Sequence, residues 1–275
     1  MSDLLRFLQQ IGSRLIDGDI IYDWINNAKI IAKTGETGVT GNIYLGLHEF
    51  PDMSFLLHVL RKNDLFVDIG ANVGSYTILA CQSIGAKGYT FEPIPITFKK
   101  LMNNIYLNNL NEKVIAVNKA LGDKSDKIYF TEDENCMNHV VSKNEICNNK
   151  IEVEISTLDI ELNNNIPFLI KIDVEGYETP TLQGANKILQ NEQLKVVIME
   201  LNGSGSRYGY DETNILNMMI EYGFKSYFYN PFKRELINLN GKNLTEGNTI
   251  FIRDIEYIKN RIQESPKFNI FEYLI

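Results

Sequence analysis

Asp68, Glu92, Asp173, Glu175 and Glu200 each fall at or just beyond the end of an apolar run. In an open sheet of parallel strands, ligands bind outside those carboxyl ends. Asp68 opens the turn Asp68-Ile69-Gly70-Ala71-Asn72-Val73-Gly74, which follows Leu65-Phe66-Val67 and precedes the helical run Ser75-Tyr76-Thr77-Ile78-Leu79-Ala80. A strand, a tight glycine turn and a helix form a nucleotide-binding corner. Gly70 allows the sharp turn, and Gly74 allows close approach to the helix. Glu92 ends the next strand, Lys87-Gly88-Tyr89-Thr90-Phe91. An acid about 20 positions past the glycines is placed to accept hydrogen bonds from a ribose diol.

The dinucleotide fingerprint requires a bare middle glycine beside the pyrophosphate. Asn72 occupies that room, and the Asp68 carboxylate ahead of the turn repels a diphosphate. The same carboxylate suits the ammonium and sulfonium charges of S-adenosylmethionine. The expected cofactor is therefore S-adenosylmethionine, leaving as S-adenosylhomocysteine, rather than a nicotinamide dinucleotide.

Strand parity puts Lys171, Asp173 and Glu175 on one side and Ile170, Ile172 and Val174 on the other. A carboxylate at the end of an apolar strand needs a cation or donors, which a sulfonium or an acceptor hydroxyl supplies. Methyl transfer to a hydroxyl is an in-line displacement in which the nucleophile must be held in place and relieved of its proton. Three histidines are available. His58 lies in an apolar helix and is structural. His48 precedes the capping acid Glu49 and is placed to face the cleft. His139, in Cys136-Met137-Asn138-His139-Val140, ranks first as the base, with Asp173 its rival and Glu175 a further catalytic candidate. Glu200 and the loop residues Asn202, Arg207 and Tyr208 are candidates for acceptor binding, with Tyr210 beside them and Asn248 a weaker candidate. Asp173, Glu175 and Glu200 also offer oxygen ligands suited to magnesium. Their spacing permits a divalent metal but does not predict one.

Phe66-Val67-Asp68-Ile69-Gly70-Ala71-Asn72-Val73-Gly74-Ser75-Tyr76-Thr77, then Phe91-Glu92-Pro93, then Leu169-Ile170-Lys171-Ile172-Asp173-Val174-Glu175-Gly176-Tyr177-Glu178, resembles the FkbM-type methyltransferase family in order and spacing. The likeness spans residues 48–253. It implies an α/β, Rossmann-like class I methyltransferase fold with a seven-stranded, mostly parallel sheet and helices on both faces. It also implies S-adenosylmethionine as donor and O-methylation of a carbohydrate or other small-molecule hydroxyl. Carried over residue by residue, Asp68, Gly70, Asn72 and Gly74 hold the methionine end, with Ala71 and Ser75 in the same corner. Glu92 holds the ribose beside Pro93 and Ile94. Asn118, Ala120 and Leu121 flank the adenine, although many related enzymes carry an acid where Asn118 stands. Asp173 faces the donor as well as the acceptor, and Glu49 is either a wall of the methionine pocket or a first-turn helix acid. N-methylation, nicotinamide-dependent oxidoreduction and cofactor binding without catalysis remain the alternatives.

These groups require strands and helices in alternation. Strands are expected at Leu65–Ile69, Lys87–Phe91, Val114–Val117, Pro167–Ile172 and Leu194–Met199, with an antiparallel pair, Lys225–Tyr229 and Thr249–Arg253, closing the sheet. Helices are expected from Pro51 to Leu60, Gly74 to Ile84, Pro95 to Asn108, Thr179 onward and Asp211 to Tyr222, and over Ile255–Ile262. Residues 127–155 read as an inserted hairpin over the site. Ahead of the core, Leu4, Leu8, Ile11 and Leu15 share a helical face, Ile20–Ala32 reads as a second helix, and Gly35–Leu47 reads as short strands or an ordered loop. The chain then divides into an N-terminal helical cap or dimerisation segment (1–60), the methyltransferase core (61–255) and a C-terminal tail (256–275).

Composition narrows the partners. With 27 basic against 35 acidic residues and net charge −8, a nucleic-acid backbone is not the expected ligand, because such binding rests on clustered Lys and Arg. Three cysteines with no C-x-x-C pair argue against a disulfide framework or a zinc site. No apolar run approaches membrane-spanning length. A cytoplasmic enzyme acting on a small-molecule or glycan acceptor, possible as a homodimer, is the expectation.

Overall fold

The computed structural model describes residues 15–16, 19–33, 37–131, 138–142, 145, 149–245 and 248–275. The chain opens with β1 (Leu15–Ile16), β2 (Asp19–Asp23) and β3 (Lys29–Ala32), which form a small antiparallel sheet. Two helices follow, α1 (Thr37–Leu45) and α2 (Phe50–Val59). Pro51 and Asp52 sit in the first turn of α2, where a fixed φ and a negative charge both favour a helix start.

The alternating part runs β4 (Leu65–Ile69), α3 (Ser75–Ile78, continuing as π-helix over Leu79–Ile84), β5 (Lys87–Phe91), α4 (Pro95–Leu107) and β6 (Val114–Val117). A second small sheet is built from β7 (Ala120–Leu121), β8 (Asp126–Thr131) and β9 (Lys150–Ser156), in the order β7-β9-β8. The chain returns through α5 (Leu158–Leu162), β10 (Leu169–Ile172), α6 (Glu178–Gln183), α7 (Asn186–Gln190), β11 (Val196–Glu200) and α8 (Glu212–Glu221). It closes with β12 (Lys225–Asn230), β13 (Glu235–Asn238), β14 (Asn248–Ile252), α9 (Ile255–Gln263) and the hairpin β15 (Asn269–Ile270) and β16 (Tyr273–Leu274).

The large sheet has the order β13-β12-β14-β11-β10-β4-β5-β6. Strands β11, β10, β4, β5 and β6 are mutually parallel, whereas β14, β12 and β13 join antiparallel. The sheet thus has eight strands rather than the expected seven. The extra one, β13, pairs with β12 as an edge hairpin inside the 231–247 excursion. Only its Leu236 is half-buried and its other three residues are exposed, so no alternation of buried positions marked it as a strand.

Two apolar layers sandwich the sheet. One packs Phe66, Leu169, Ile198 and Ile250 against Phe55, Leu56 and Val59 of α2 and Ile258 and Ile262 of α9. The other packs Val67, Ile170, Ile172 and Val197 against Leu182, Ile188, Ile215 and Met219. The period-two alternation along β10 therefore sends Ile170 and Ile172 to one layer and Lys171 to the other, as the sequence requires.

The first forty residues depart from expectation. Leu15 lies in β1, and the rest of the expected first helix lies outside the described residues. Ile20–Ala32 forms the β2–β3 hairpin instead of a helix, turning through Asn26 and Asn27 at φ 51° and 68°. Asparagine tolerates that left-handed conformation, and Ile and Tyr favour strands, so the local chemistry is that of a hairpin. Residues 37–45 form α1 where strands or a loop were expected. Gly41 there answers to packing, because a Cβ on it would lie 2.2 Å from His48 Nδ1. The described part of this segment shares one apolar cluster with the sheet, through Tyr22, Trp24, Ile30, Val39 and Ile43.

Candidate active site

A cavity of about 520 Å3 opens at the carboxyl ends of β4, β5 and β10. Its volume is that of a pocket for a small molecule. The turn after β4 forms its floor with Asp68, Gly70, Ala71, Asn72 and Ser75. Gly74 helps to shape this corner from behind: at φ 93°, it packs where a Cβ would lie 2.6 Å from Leu101 of α4.

Glu92, at the end of β5, is buried. Its Oε2 accepts from the Asn72 N–H at 3.0 Å and its Oε1 from the Ile94 N–H at 2.9 Å. The carboxylate is thus fixed across the glycine turn, with Pro93 and Ile94 beside it on the cavity wall. Burial pushes Glu92 up to about 8, against the two backbone donors. Ala120 and Leu121 complete this end. Asn118 lies outside the lining and braces it: its Nδ2 donates to the Glu92 carbonyl at 2.8 Å and to the Pro93 carbonyl at 2.9 Å.

Asp68 is buried and accepts from Thr77 Oγ1 at 2.6 Å, and the same hydroxyl approaches Thr90 Oγ1 at 3.0 Å. Burial pushes Asp68 up to about 6, opposed by the Thr77 bond and by Lys171.

The far end of the cavity is acidic. Oxygens of Asp173, Glu175 and Glu200 lie within 4.8 Å of one another, the one such carboxylate trio among the described residues. Burial, then the Asp173 charge, pushes Glu200 up to about 8. Burial also raises Glu175, whose φ of 52° is unusual for a non-glycine residue. The trio suits a hard cation by ligand type, but the Lys171 ammonium already meets Asp173 at 3.1 Å. Glu49 also lines the cavity and accepts a bond from the Tyr76 hydroxyl. His48 lies in the wall beside it.

Several sequence candidates are not brought to the cavity. The wall takes Asn138 and leaves His139 behind it, buried, with Nε2 at 2.9 Å from Glu145 Oε1. Its neighbours Cys136 and Met137 lie outside the described residues. Tyr208 donates to the Val140 carbonyl at 2.7 Å and packs edge-on against Tyr177. Arg207 donates to the Glu175 carbonyl at 3.3 Å, and Asn202 accepts from the Ser204 N–H at 2.9 Å. These three shape the loop around the acidic end and do not face the cavity. Asn248 is buried beside Glu200 in the β11–β14 register. Conversely, Lys171, Tyr76, Lys100 and Lys119 line the cavity without having been singled out for a role. Strand parity had placed Lys171 on the Asp173 side, which was the available signal.

The parallel strands in the order β11-β10-β4-β5-β6, extended by antiparallel β14 and β12, with a cofactor-sized cavity at the glycine turn, define a class I methyltransferase. The model of the methyltransferase FkbM domain matches residues 68–226, more than half of the chain, and the protein belongs to that family. The chain is 28% identical over 170 residues to the hexuronic acid methyltransferase AglP of Haloferax volcanii, a match covering 60% of this chain and 65% of that relative. It is also similar to the solved structure of methyltransferase FkbM from Methylobacillus flagellatus, with a TM-score of 0.47 and 13% identity, covering 91% of this chain and 58% of the other. The C-terminal domain of precorrin-6Y C5,15-methyltransferase from Rhodobacter capsulatus matches with a TM-score of 0.43 and 13% identity, over 75% of this chain and 88% of that one. The chain thus spans less than two thirds of the length of AglP. Among the described residues, no helix is long and apolar enough to cross a membrane.

Proposed function

We propose that this methyltransferase uses S-adenosylmethionine to methylate a hydroxyl of a carbohydrate. The observation that carries the reading is one continuous cavity with a buried, backbone-anchored carboxylate at one end and three carboxylates at the other. Glu92 meets the ribose diol, and Pro93, Ile94, Ala120 and Leu121 meet the adenosine. Gly70, Ala71, Asn72 and Ser75 receive the methionine end, with Asp68 and Glu49 opposite its positive charges.

When bound, the donor supplies an electrophilic methyl group on a positively charged sulfur. Asp173 accepts the proton of the acceptor hydroxyl as its oxygen bonds to the methyl carbon and the carbon–sulfur electron pair returns to sulfur. Glu200, raised to about 8, carries a proton near neutral pH and donates to an acceptor oxygen. Glu175 accepts from a second hydroxyl. The carbohydrate assignment draws on AglP, whose name states a hexuronic acid as its substrate.

The test has two arms. Calorimetric titration with S-adenosylhomocysteine above pH 8, where Glu92 is ionised, should show binding that Glu92→Gln weakens about 10- to 100-fold, the range for a hydrogen bond to a charged group. Binding of NAD with no response to S-adenosylhomocysteine would overturn the donor. Labelled methyl transfer to methyl glycosides, with methylamides as the control acceptors, separates oxygen from nitrogen as the accepting atom.

A further inference from the structure

Lys171 is the only lysine or arginine buried outright among the described residues. It lies in the middle of the sheet, in register with Asp68 on β4 and Ile198 on β11. An ammonium in that position is expensive unless it is paired. Its Nζ is 3.1 Å from Asp173 Oδ2 and 5.3 Å from the centroid of the Tyr76 ring. Tyr76 in turn donates to Glu49. Four side chains from four segments are thereby tied together at the cavity wall: β10, the loop after it, α3 and the residue ahead of α2.

We propose that Lys171 is a positioning residue for methyl transfer, fixing the Asp173 carboxylate toward the acceptor. The assignment rests on the proposed methyl-transfer reading of the same cavity. Asp173 Oδ2 meets Lys171, and the Asp173 side chain also lines the cavity beside the Glu200 carboxyl. The groups facing the ammonium are Asp173 and Glu175 beyond β10, Glu200 on β11, Glu49 before α2, Asp68 on β4 and Tyr76 on α3. Burial alone would lower the Lys171 ammonium, but Asp173, Glu49 and Glu200 hold it above its ordinary range. It therefore stays charged at working pH and offsets a wall that is otherwise acidic.

The test compares wild type with Lys171→Met in three readouts. The first is calorimetric binding of S-adenosylhomocysteine. The second is turnover with labelled S-adenosylmethionine on the methyl glycoside that wild type methylates fastest, followed across pH. The third is rescue of Lys171→Ala by added propylamine, which reaches the vacated space because Lys171 lines the cavity. The expected result is S-adenosylhomocysteine binding within about threefold of wild type and kcat lower by about a hundredfold, the low end of what loss of a placed base costs. The acidic half-point of turnover should also move to higher pH, and propylamine should restore turnover in proportion to its concentration. Turnover equal to wild type, or a loss with neither a shifted profile nor rescue, would overturn the assignment. Lys171→Gln, uncharged but able to donate to Asp173, replaces Lys171→Met if the latter does not fold; failure of both to fold would make the role structural and overturn it too. A wild-type chain that binds no S-adenosylhomocysteine would instead sink the donor reading, and this assignment with it.

Discussion

Gly70 lies beneath the Asp173 carbonyl so closely that a Cβ on Gly70 would come within 1.8 Å of that oxygen. The two loops are joined again by the Asp173 N–H, which donates to the Ile69 carbonyl at 2.9 Å. The glycine turn after β4 and the acidic end of the cavity are therefore held together through their backbones.

Gly70→Ala tests that contact. The residue has φ 78°, so alanine adds backbone strain of about 1–3 kcal/mol to the collision. The backbone at Asp173 cannot rotate away as a side chain would. A lower thermal midpoint, together with loss of S-adenosylhomocysteine binding and of turnover, is the expected outcome. A variant of normal stability and affinity would mean that the two loops move independently.

Asp173 and His139 separate by position. Asp173 lines the cavity, whereas His139 lies behind Asn138 against Glu145. Asp173→Asn should lower kcat by about 10²- to 10⁴-fold, the range for a lost general base, while S-adenosylhomocysteine binding persists. His139→Ala should retain turnover within about tenfold, because the change acts only through the insertion's packing. Kinetics of the two variants at several pH values decide between them. The reverse ranking would restore the histidine as base.

The central strands, the inserted hairpin and the cavity's two acidic ends were legible because each rests on local chemistry: apolar runs of strand length, glycine turns and acids at strand ends. Asp68, Glu92, Asp173 and Glu200 fall where strand parity and the turn demanded. What the sequence concealed depends on distant partners. Gly35–Leu47 read as short strands or an ordered loop, but Gly41 serves the approach of His48 within a helix. His139 was chosen by residue type, and only the register of Thr131 against its backbone turns it inward. Strand parity put Lys171 on the Asp173 side, but its register with Asp68 and its place over Tyr76 depend on other segments.

The N-terminal hairpin is tied to the glycine turn after β4 by one amide. Asn104 on α4 accepts the Ile31 N–H at 2.8 Å and donates to the Val73 carbonyl at 2.8 Å. One turn along the helix, Asn108 accepts the Lys29 N–H at 2.8 Å and donates to the Lys29 carbonyl at 2.7 Å. Together they pair the free edge of β3 as a neighbouring strand would. Asn104→Ala and Asn108→Ala should each cost about 1–3 kcal/mol, since buried backbone groups lose partners. Only Asn104→Ala should also weaken S-adenosylhomocysteine binding, through Val73. Urea denaturation and calorimetry read the two effects. Equal affinity losses in both variants would contradict the separate roles.

His58 gives the fold an acid-sensitive point away from the cavity. Its Nδ1 lies 2.6 Å from the Tyr229 hydroxyl, and the ring packs edge-on against Tyr229 and tilted against Phe268. Burial first, then the Arg234 charge, lowers His58 from 6.5 to about 4, with the Ile275 backbone partly opposing. The unfolded chain binds the proton near 6.5 and the folded chain near 4, so between those values the unfolded state holds more protons. Stability therefore falls as pH drops through that window and is unaffected by this group above it. The whole effect is roughly 3 kcal/mol, at about 1.4 kcal/mol for each unit of difference. His58→Phe cannot titrate and should flatten the curve by that amount between pH 6.5 and 4, whatever it costs at neutral pH. The raised carboxyls Asp68, Glu92 and Glu200 are common to both proteins and cancel in the difference. Parallel curves for wild type and variant, measured by urea denaturation at half-unit steps, would mean that His58 takes up its proton without unfolding.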